Sequence, residues 1–202
     1  MARIAVIDYG GGNLGSLVSA LARRGADFAV TDDPAEVVCA SAAILPGDGA
    51  FGATMSALRE RGLHRAISQT IAAGKPFLGI CVGMQLLYAG SDEFGEHEGL
   101  GALPGIVTRF SRAPRIPHMG WNKLELLQDH PFVRGLPADA YAYFLHSYRA
   151  DVDASTLAAS EHGERFAAIV ARGNLMATQF HPEKSQTTGA ILLDNFIGLA
   201  AC

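Results

Sequence analysis

The fold is decided by the stretch Pro76-Phe77-Leu78-Gly79-Ile80-Cys81-Val82-Gly83. The residues before Cys81 form a short apolar run that is typical of a buried strand, and those after it predict a helix that begins near Val82. A residue at such a sharp turn from strand to helix is strained and needs small neighbours, which Gly79 and Gly83 provide. The stretch therefore predicts a strand, a tight turn occupied by Cys81, and a helix.

The same alternation extends toward the N-terminus. The strand-like runs are residues 3–8, 27–30 and 42–45, and apolar residues recur at helical spacing in residues 14–24, 55–58 and 64–73. Asp33 and Pro34 form the N-cap and the first turn of a further helix. Because parallel strands need crossover connections, and because those crossovers are helices, this half predicts an α/β fold with a mostly parallel open sheet and helices on both faces.

The rest of the chain consists mainly of β-prone segments rather than alternating strands and helices. Its β-prone pieces are residues 105–110, 123–126, 141–145, 166–172 and 175–180, and a last helix is expected from about Thr188. Residues 91–101 and 111–120 show little periodicity and are interpreted as surface loops. We expect the β-prone pieces to add antiparallel strands to the same sheet.

The composition narrows the class of protein. The chain has 202 residues, 49% hydrophobic and 18% charged, which suits a single domain with a core and excludes a disordered chain. The net charge of −4 argues against binding to nucleic acid, and no run is apolar enough for a membrane span or a signal peptide. The odd number of cysteines favours reduced thiols in the cytoplasm, with Cys39 in the core and Cys202 at an unstructured end.

A glycine-rich segment offers two interpretations. The segment Gly10-Gly11-Gly12-Asn13-Leu14-Gly15 follows a strand-like run and precedes a helix, and Asp32 and Asp33 lie about 20 residues further on, as in a dinucleotide-binding site. The alternative is a corner at which glycines let the chain turn, with Asp33 as a helix cap. Both interpretations stay open on these residues alone.

Cys81 is a candidate nucleophile, presented toward a substrate rather than buried. The N-terminus of a helix favours its thiolate, and the Val82 N–H points to where an oxyanion would develop. In the segment His181-Pro182-Glu183, the imidazole and the carboxylate point to one side, so Glu183 can accept the second N–H of a catalytic His181. The alternatives are a buried cysteine, an ordinary ion pair, and a metal site made of the same three side chains.

A second turn follows the third strand-like run. It reads Pro46-Gly47-Asp48-Gly49, and backbone N–H groups in such a turn can point outward as another donor to an oxyanion. A plain turn explains these residues equally well.

Three motifs together resemble the class I (triad) glutamine amidotransferases. They are Gly79-Ile80-Cys81-Val82-Gly83-Met84-Gln85, Pro46-Gly47-Asp48-Gly49 and His181-Pro182-Glu183-Lys184-Ser185. The resemblance implies one glutamine amidotransferase domain over residues 1–202 that needs no cofactor and no metal. It also implies that Cys81 attacks glutamine, that His181 protonates the departing ammonia, and that water releases glutamate from a thioester.

The resemblance assigns further residues. The oxyanion positions are Gly47, Asp48, Gly49 and Val82, and the substrate-binding positions are Gln85, Glu93, His146, Ser147 and Tyr148. Glu93 would pair with the substrate ammonium group, or would be an ordinary solvated carboxylate. Asp48 departs from the family, which usually has an apolar residue there, and an inward carboxylate would oppose an oxyanion.

Four stretches resemble the members of the family that pass ammonia to a separate (β/α)8-barrel cyclase subunit. They are Tyr9-Gly10-Gly11-Gly12-Asn13-Leu14, Pro117-His118-Met119-Gly120-Trp121-Asn122, Tyr143-Phe144-Leu145-His146-Ser147-Tyr148 and Gln179-Phe180-His181-Pro182-Glu183-Lys184-Ser185. This implies a heterodimer, with Asn13, His118, Met119, Trp121, Asn122, Tyr143 and Lys184 at the interface or the ammonia passage. Trp121 would be an interface anchor, or else a core aromatic. The glycine-rich segment becomes a corner near that interface. Two rivals remain: a nucleotide-binding regulator built on that segment, and an inert scaffold subunit with the same fold.

Overall fold

The computed structural model describes residues 3–11 and 14–201, and within them eight strands form the central sheet. In spatial order the strands are β2 (Phe28–Thr31), β1 (Ile4–Ile7), β3 (Ala42–Leu45), β4 (Phe77–Ile80), β14 (Leu175–Thr178), β13 (Arg165–Arg172), β12 (Thr156–Glu161) and β9 (Glu125–Leu126). The first five run parallel, and the last three are added antiparallel. The predicted fold class is confirmed.

Helices follow the parallel strands along the chain. They are α1 (Leu14–Ala22), α2 (Pro34–Cys39), α3 (Phe51–Glu60), α4 (Leu63–Ala72), α5 (Val82–Gln85) and α6 (Gln186–Ala200). From β1 the chain moves outward to β2 and then back past β1 to β3 and β4. Because such crossovers are right-handed, α1 covers one face of the sheet, and α2 to α4 cover the other. Within the described ranges, no helix is long and apolar enough to cross a membrane.

The start of α2 was predicted correctly, but the burial of Cys39 was not. The Asp33 carboxylate accepts from the Ala35 N–H at 2.8 Å, and Pro34 is the first helical residue. Cys39, expected in the core, is exposed, because this six-residue helix buries only Val37. The prediction for Cys39 is therefore wrong, and Cys202 lies outside the described residues.

Two smaller sheets stand apart from the central one. One pairs β8 (His118–Lys123) with β10 (Tyr141–His146), and the other has the order β11 (Tyr148–Arg149), β7 (Ile106–Arg109), β5 (Gly90–Ser91) and β6 (His97–Glu98). The expected antiparallel additions to the central sheet are confirmed for β13, β12 and β9, whereas β7, β8 and β10 lie in these smaller sheets and β14 is parallel to β4. Short strands also replace parts of the loops expected at residues 91–101 and 111–120.

The topology brings three chain segments to one edge of the central sheet. Because β3, β4 and β14 run parallel, their carboxyl ends lie at the same edge, which is where open α/β sheets carry their sites. The chain leaves these strands through the turn at residues 46–49, through Cys81, and through a single 3-10 turn, Pro182–Lys184.

Candidate active site

Cys81 occupies a strained turn between β4 and α5. Its φ is 55° and its ψ is −113°, a backbone conformation that non-glycine residues rarely adopt. The turn is possible because glycines pack around it: a Cβ on Gly83 would collide with the Leu45 carbonyl oxygen, and one on Gly79 would lie 2.8 Å from the Gly83 carbonyl oxygen. The predicted nucleophile elbow is therefore present.

His181 and Glu183 form the predicted pair. The Nδ1 of His181 donates to the Oε1 of Glu183 at 2.8 Å, and both side chains are buried. Burial lowers the pKa of His181, but hydrogen bonds to Cys81 and Glu183, together with their charges, outweigh it and raise that pKa to about 10. The site therefore favours an imidazolium next to the Cys81 sulfur.

A cavity of about 240 Å³ opens onto the sulfur. It is lined by Gly49, Cys81, Val82, Gln85, Glu93, Pro117, Leu145, His146, Ser147 and Tyr148. Cys81 is only 4% exposed, so the prediction that it is not buried is wrong, although the residue does line this cavity. The sulfur belongs to the lining of a cavity whose size suits one small ligand.

All five predicted substrate-binding residues lie on this cavity. Gln85 is buried, and its Nε2 donates to the Tyr148 carbonyl oxygen at 3.0 Å. One oxygen of Glu93 accepts from the Phe51 N–H at 2.6 Å, at the start of α3. Glu93 is therefore held in place beside the cavity rather than freely solvated.

The predicted oxyanion residues divide into two groups. Val82 and Gly49 line the cavity. Gly47 packs behind it, where a Cβ would lie 2.8 Å from the Val82 carbonyl carbon. The Asp48 N–H donates to the Tyr9 hydroxyl at 3.1 Å, so the prediction of an oxyanion donor at Asp48 is wrong in this conformation.

Asp48 approaches the site through its side chain instead. Its Oδ1 lies 3.7 Å from the Nε2 of His181, and the side chain is partly exposed. A carboxylate at this distance stabilises a proton on that nitrogen. The departure from the family pattern therefore bears on the proton that His181 carries.

Sequence reasoning missed two contacts to the sulfur. The Leu145 carbonyl oxygen and the Nε2 of Gln179 each lie 4.0 Å from the Cys81 sulfur. Gln179 is fully buried, and its Oε1 accepts from the Nε2 of Gln85 at 3.1 Å. Gln179 stands two residues before His181 in a quoted motif, which was the available signal.

The outer face of the β8 and β10 sheet is exposed and apolar, and we call it the docking face. Its members are Met119, Trp121, Tyr141, Tyr143 and Leu145. Trp121 is 47% exposed, so the core alternative for it is wrong. Lys184 is exposed and Asn122 half-buried. His118 is buried, so it cannot touch a partner directly, and Asn13 lies outside the described residues.

Two alternatives from the sequence can be compared with the structure. Within residues 3–11 and 14–201, no group of three or more His, Cys, Asp or Glu side chains is arranged to hold a metal ion. In the glycine-rich segment, Gly10 lies against the guanidinium of Arg61, whose Nη2 would be 2.6 Å from a Cβ at that position. Gly12 and Asn13 of that segment lie outside the described residues.

The fold and this site define a class of protein, and comparison with known families agrees. Residues 5–199 match the family model described as "Glutamine amidotransferase class-I". The chain belongs to this family and is a glutamine amidotransferase.

Comparison with individual proteins identifies relatives within this family. The chain is 48% identical over 198 residues to "Imidazole glycerol phosphate synthase subunit HisH" of Symbiobacterium thermophilum, covering 97% of this chain and 93% of the relative. It is 50% identical over 200 residues to the protein of the same name from Acaryochloris marina, covering 96% and 93%.

Solved structures share the fold at lower identity. "Crystal structure of glutamine amidotransferase" superimposes with a TM-score of 0.77 at 22% identity and covers 98% of this chain and 99% of that one. "Structure of PurLQS from Thermotoga maritima" gives a TM-score of 0.77 at 21% identity, again covering 98% and 99%. At these identities the likeness bears on the fold alone.

Proposed function

We propose that this chain is the glutaminase subunit of an imidazole glycerol phosphate synthase, acting in the cytoplasm in histidine biosynthesis. It hydrolyses L-glutamine and passes the ammonia to a (β/α)8-barrel cyclase subunit. The observation that carries the chemistry is Cys81 at a strained elbow, beside a buried His181 that Glu183 holds at 2.8 Å. Relatives about half identical over almost the whole chain support the particular role.

The first half of the reaction forms a thioester. The Cys81 thiolate attacks the side-chain amide carbon of glutamine, and the carbonyl electrons move onto its oxygen. The Val82 N–H, at the start of a helix, and the Gly49 N–H stabilise this oxyanion. The Nε2 of His181 gives its proton to the amide nitrogen, the C–N bond breaks, and ammonia leaves.

The second half restores the enzyme. The neutral His181 removes a proton from water, and the hydroxide attacks the thioester carbonyl. The C–S bond breaks, glutamate leaves, and the Cys81 thiolate again faces an imidazolium. Glu183 holds the Nδ1–H of His181 by a hydrogen bond, so the Nε2 of His181 is the nitrogen that exchanges protons.

The cavity binds the amino-acid end of the substrate. Glu93, fixed by the Phe51 N–H, supplies a negative charge for the α-ammonium group of glutamine. Gln85, Ser147 and Tyr148 also line the cavity. These groups place the side-chain amide next to the sulfur.

The partner is proposed on the docking face. Exposed aromatic and aliphatic side chains that share one sheet face are typical of an interface, and a Trp is the residue type most often found as an anchor. Leu145 lies on this face, while its carbonyl oxygen is 4.0 Å from the Cys81 sulfur. Docking would therefore cover a strand that also lines the cavity.

The experiment is glutamate release, measured with and without a (β/α)8-barrel cyclase subunit. We expect release that rises on adding the cyclase subunit and its acceptor substrate, and that Cys81→Ala abolishes. Full activity of Cys81→Ala would remove Cys81 from its role. A chain without glutaminase activity that still binds the barrel would be the inert scaffold instead.

A further inference from the structure

Two buried histidines connect the inner face of the β8 and β10 sheet with the wall of the cavity. His118 and His146 lie opposite each other across this sheet, and the Nδ1 of His118 is 3.0 Å from the Nε2 of His146. The Nδ1 of His146 is 2.8 Å from the Tyr148 carbonyl oxygen, and the Nδ2 of Asn122 is 3.2 Å from the Nε2 of His118. We call this continuous series, from Asn122 to the Tyr148 carbonyl, the imidazole chain.

The end groups determine every proton in the imidazole chain. A carbonyl oxygen only accepts, so the Nδ1 of His146 carries a proton and its Nε2 accepts. His118 must then donate from Nδ1, which leaves its Nε2 to accept from the amide of Asn122. That amide is itself oriented, because Nδ2 also donates to the Glu161 carbonyl at 2.8 Å and Oδ1 accepts from the Lys123 N–H at 2.8 Å. Both rings are therefore neutral Nδ1–H tautomers.

The surroundings keep both rings neutral. The titratable groups that face them are each other, His162, which stacks on His118 at 4.2 Å, and His181. Burial, reinforced by His162, lowers the pKa of His118 to about 4. Burial outweighs the bond to the Tyr148 carbonyl and, with the neighbouring histidines, lowers the pKa of His146 to about 3. Aromatic side chains pack around both rings: Phe110, Phe144 and Phe166.

The Tyr148 carbonyl is the anchor at the cavity end. It accepts from His146 and from the Nε2 of Gln85, which together use both of its lone pairs. Gln85 also donates to Gln179, whose own amide nitrogen lies 4.0 Å from the Cys81 sulfur. A shift of this carbonyl would therefore disturb the substrate wall and the contacts of the nucleophile.

We propose that His118 and His146 are positioning residues for the glutaminase reaction, and that the imidazole chain fixes the Tyr148 carbonyl against which glutamine is held. The inference rests on the proposed function, because it needs this cavity to be the glutamine site. His118 is not a lining residue of the cavity and acts only through His146. Its effect should therefore appear in substrate binding more than in the chemical step.

The kinetic test uses the complex of this chain with its cyclase subunit. His118→Phe removes both ring nitrogens but keeps an aromatic ring among aromatic neighbours. We expect the KM for glutamine to rise about 5- to 30-fold, the size of losing one buried hydrogen bond, while kcat changes less than about threefold. His118→Asn places an amide N–H near the position of Nδ1 and should restore most of the KM.

The matched control is His162→Phe. His162 stacks on the same ring but contributes no bond to the imidazole chain, so its loss should leave the KM unchanged. A KM for His118→Phe equal to that of the unsubstituted complex, or an equal rise in His118→Asn, would overturn the inference. If the unsubstituted complex releases no glutamate, the proposed function itself fails, and this inference falls with it.

A second readout needs no variant, so it holds even where His118→Phe fails to fold. Spectra of the chain labelled with ¹⁵N-histidine report which ring nitrogen carries the proton. We expect Nδ1–H at both His118 and His146, with no titration between about pH 5.5 and pH 8. An Nε2–H tautomer at either ring could not make the hydrogen bonds assigned to that ring and would refute the imidazole chain.

Discussion

Replacing Glu183 by Gln tests how the carboxylate acts on His181. The Oε1 of Glu183 accepts from the Nδ1 of His181 at 2.8 Å, and its Oε2 is buried with no hydrogen-bond partner among the described residues. The new amide can turn its oxygen to Nδ1, which buries an NH₂ group where no acceptor is described. It can instead turn its NH₂ to Nδ1, which removes the acceptor that this ring nitrogen needs. Both arrangements lose the negative charge.

The size of the effect follows from this geometry. A hydrogen bond to a charged group is worth about 1.5–3 kcal/mol, and about 1.36 kcal/mol corresponds to a change of one in pKa. Burial lowers the pKa of His181, and its bonds to Cys81 and Glu183 raise it to about 10. Without the carboxylate, that pKa should fall toward about 8–9. The same loss in the transition state should lower kcat/KM for glutamine by about 10- to 100-fold.

Two measurements on the complex check this. One is glutamate release as a function of pH, and the other is the alkylation rate of Cys81, followed on its own peptide because Cys39 is exposed. Glu164→Gln is the matched control, since it removes a buried carboxylate outside the cavity. We expect that control to lose stability and keep the pH profile. A Glu183→Gln complex that keeps more than about half of kcat/KM with an unshifted profile would refute the reasoning.

Three further predictions concern single side chains. Asp48→Asn removes a carboxylate 3.7 Å from the Nε2 of His181, which should release that proton more readily and raise kcat for glutamate release about two- to fivefold; an unchanged or lower kcat contradicts this. Trp121→Ala should raise the Kd for the cyclase subunit at least about tenfold in calorimetry without changing the melting temperature of the free chain. A backbone N–H bond from Arg112 is the main reason that the pKa of Glu164 is lowered from 4.5 to about 2. Between pH 4.5 and about pH 2 the unfolded state therefore binds one more proton than the folded state, and stability is lost as the pH falls. In Glu164→Gln, the melting temperature should depend less on pH across this range.

The parallel half of the fold could be predicted because each strand is a continuous apolar run. Strands β3 and β4 are buried at every position, as parallel strands covered by helices must be, so hydrophobicity alone identifies them. The turns that follow them contain glycines that a tight corner needs. The edge at which the site lies then follows from the parallel direction of the strands.

Strand β8 could not be predicted because its pattern is reversed. Its inward position at His118 carries a polar side chain, while its outward positions at Met119 and Trp121 carry apolar ones. A rule that places apolar residues inside interprets such a segment as irregular. Strand β12 was missed for a different reason: five of its six residues are buried, but they are mostly small or polar.

The site could be predicted only where its chemistry lies in side chains. Cys81, His181 and Glu183 were found from motif and spacing, whereas the Leu145 carbonyl, a backbone group, meets the sulfur only because the fold brings it there. The Asp48 N–H was assigned to the cavity, and the Tyr9 hydroxyl takes it instead. Every residue has the same backbone N–H and carbonyl groups, so the fold and not the residue type determines which partners these groups meet.

The reversed pattern of β8 also fixes its register. In a strand, neighbouring side chains point to opposite faces, so a slip by one residue would bury Trp121 and expose His118. The register observed pairs His118 with His146 on the inner face and Trp121 with Tyr143 on the outer one. A slipped strand would lose the buried hydrogen bond between His118 and His146 and turn the Trp121 indole toward the buried face. The docking face and the imidazole chain therefore both depend on the same register of β8 against β10.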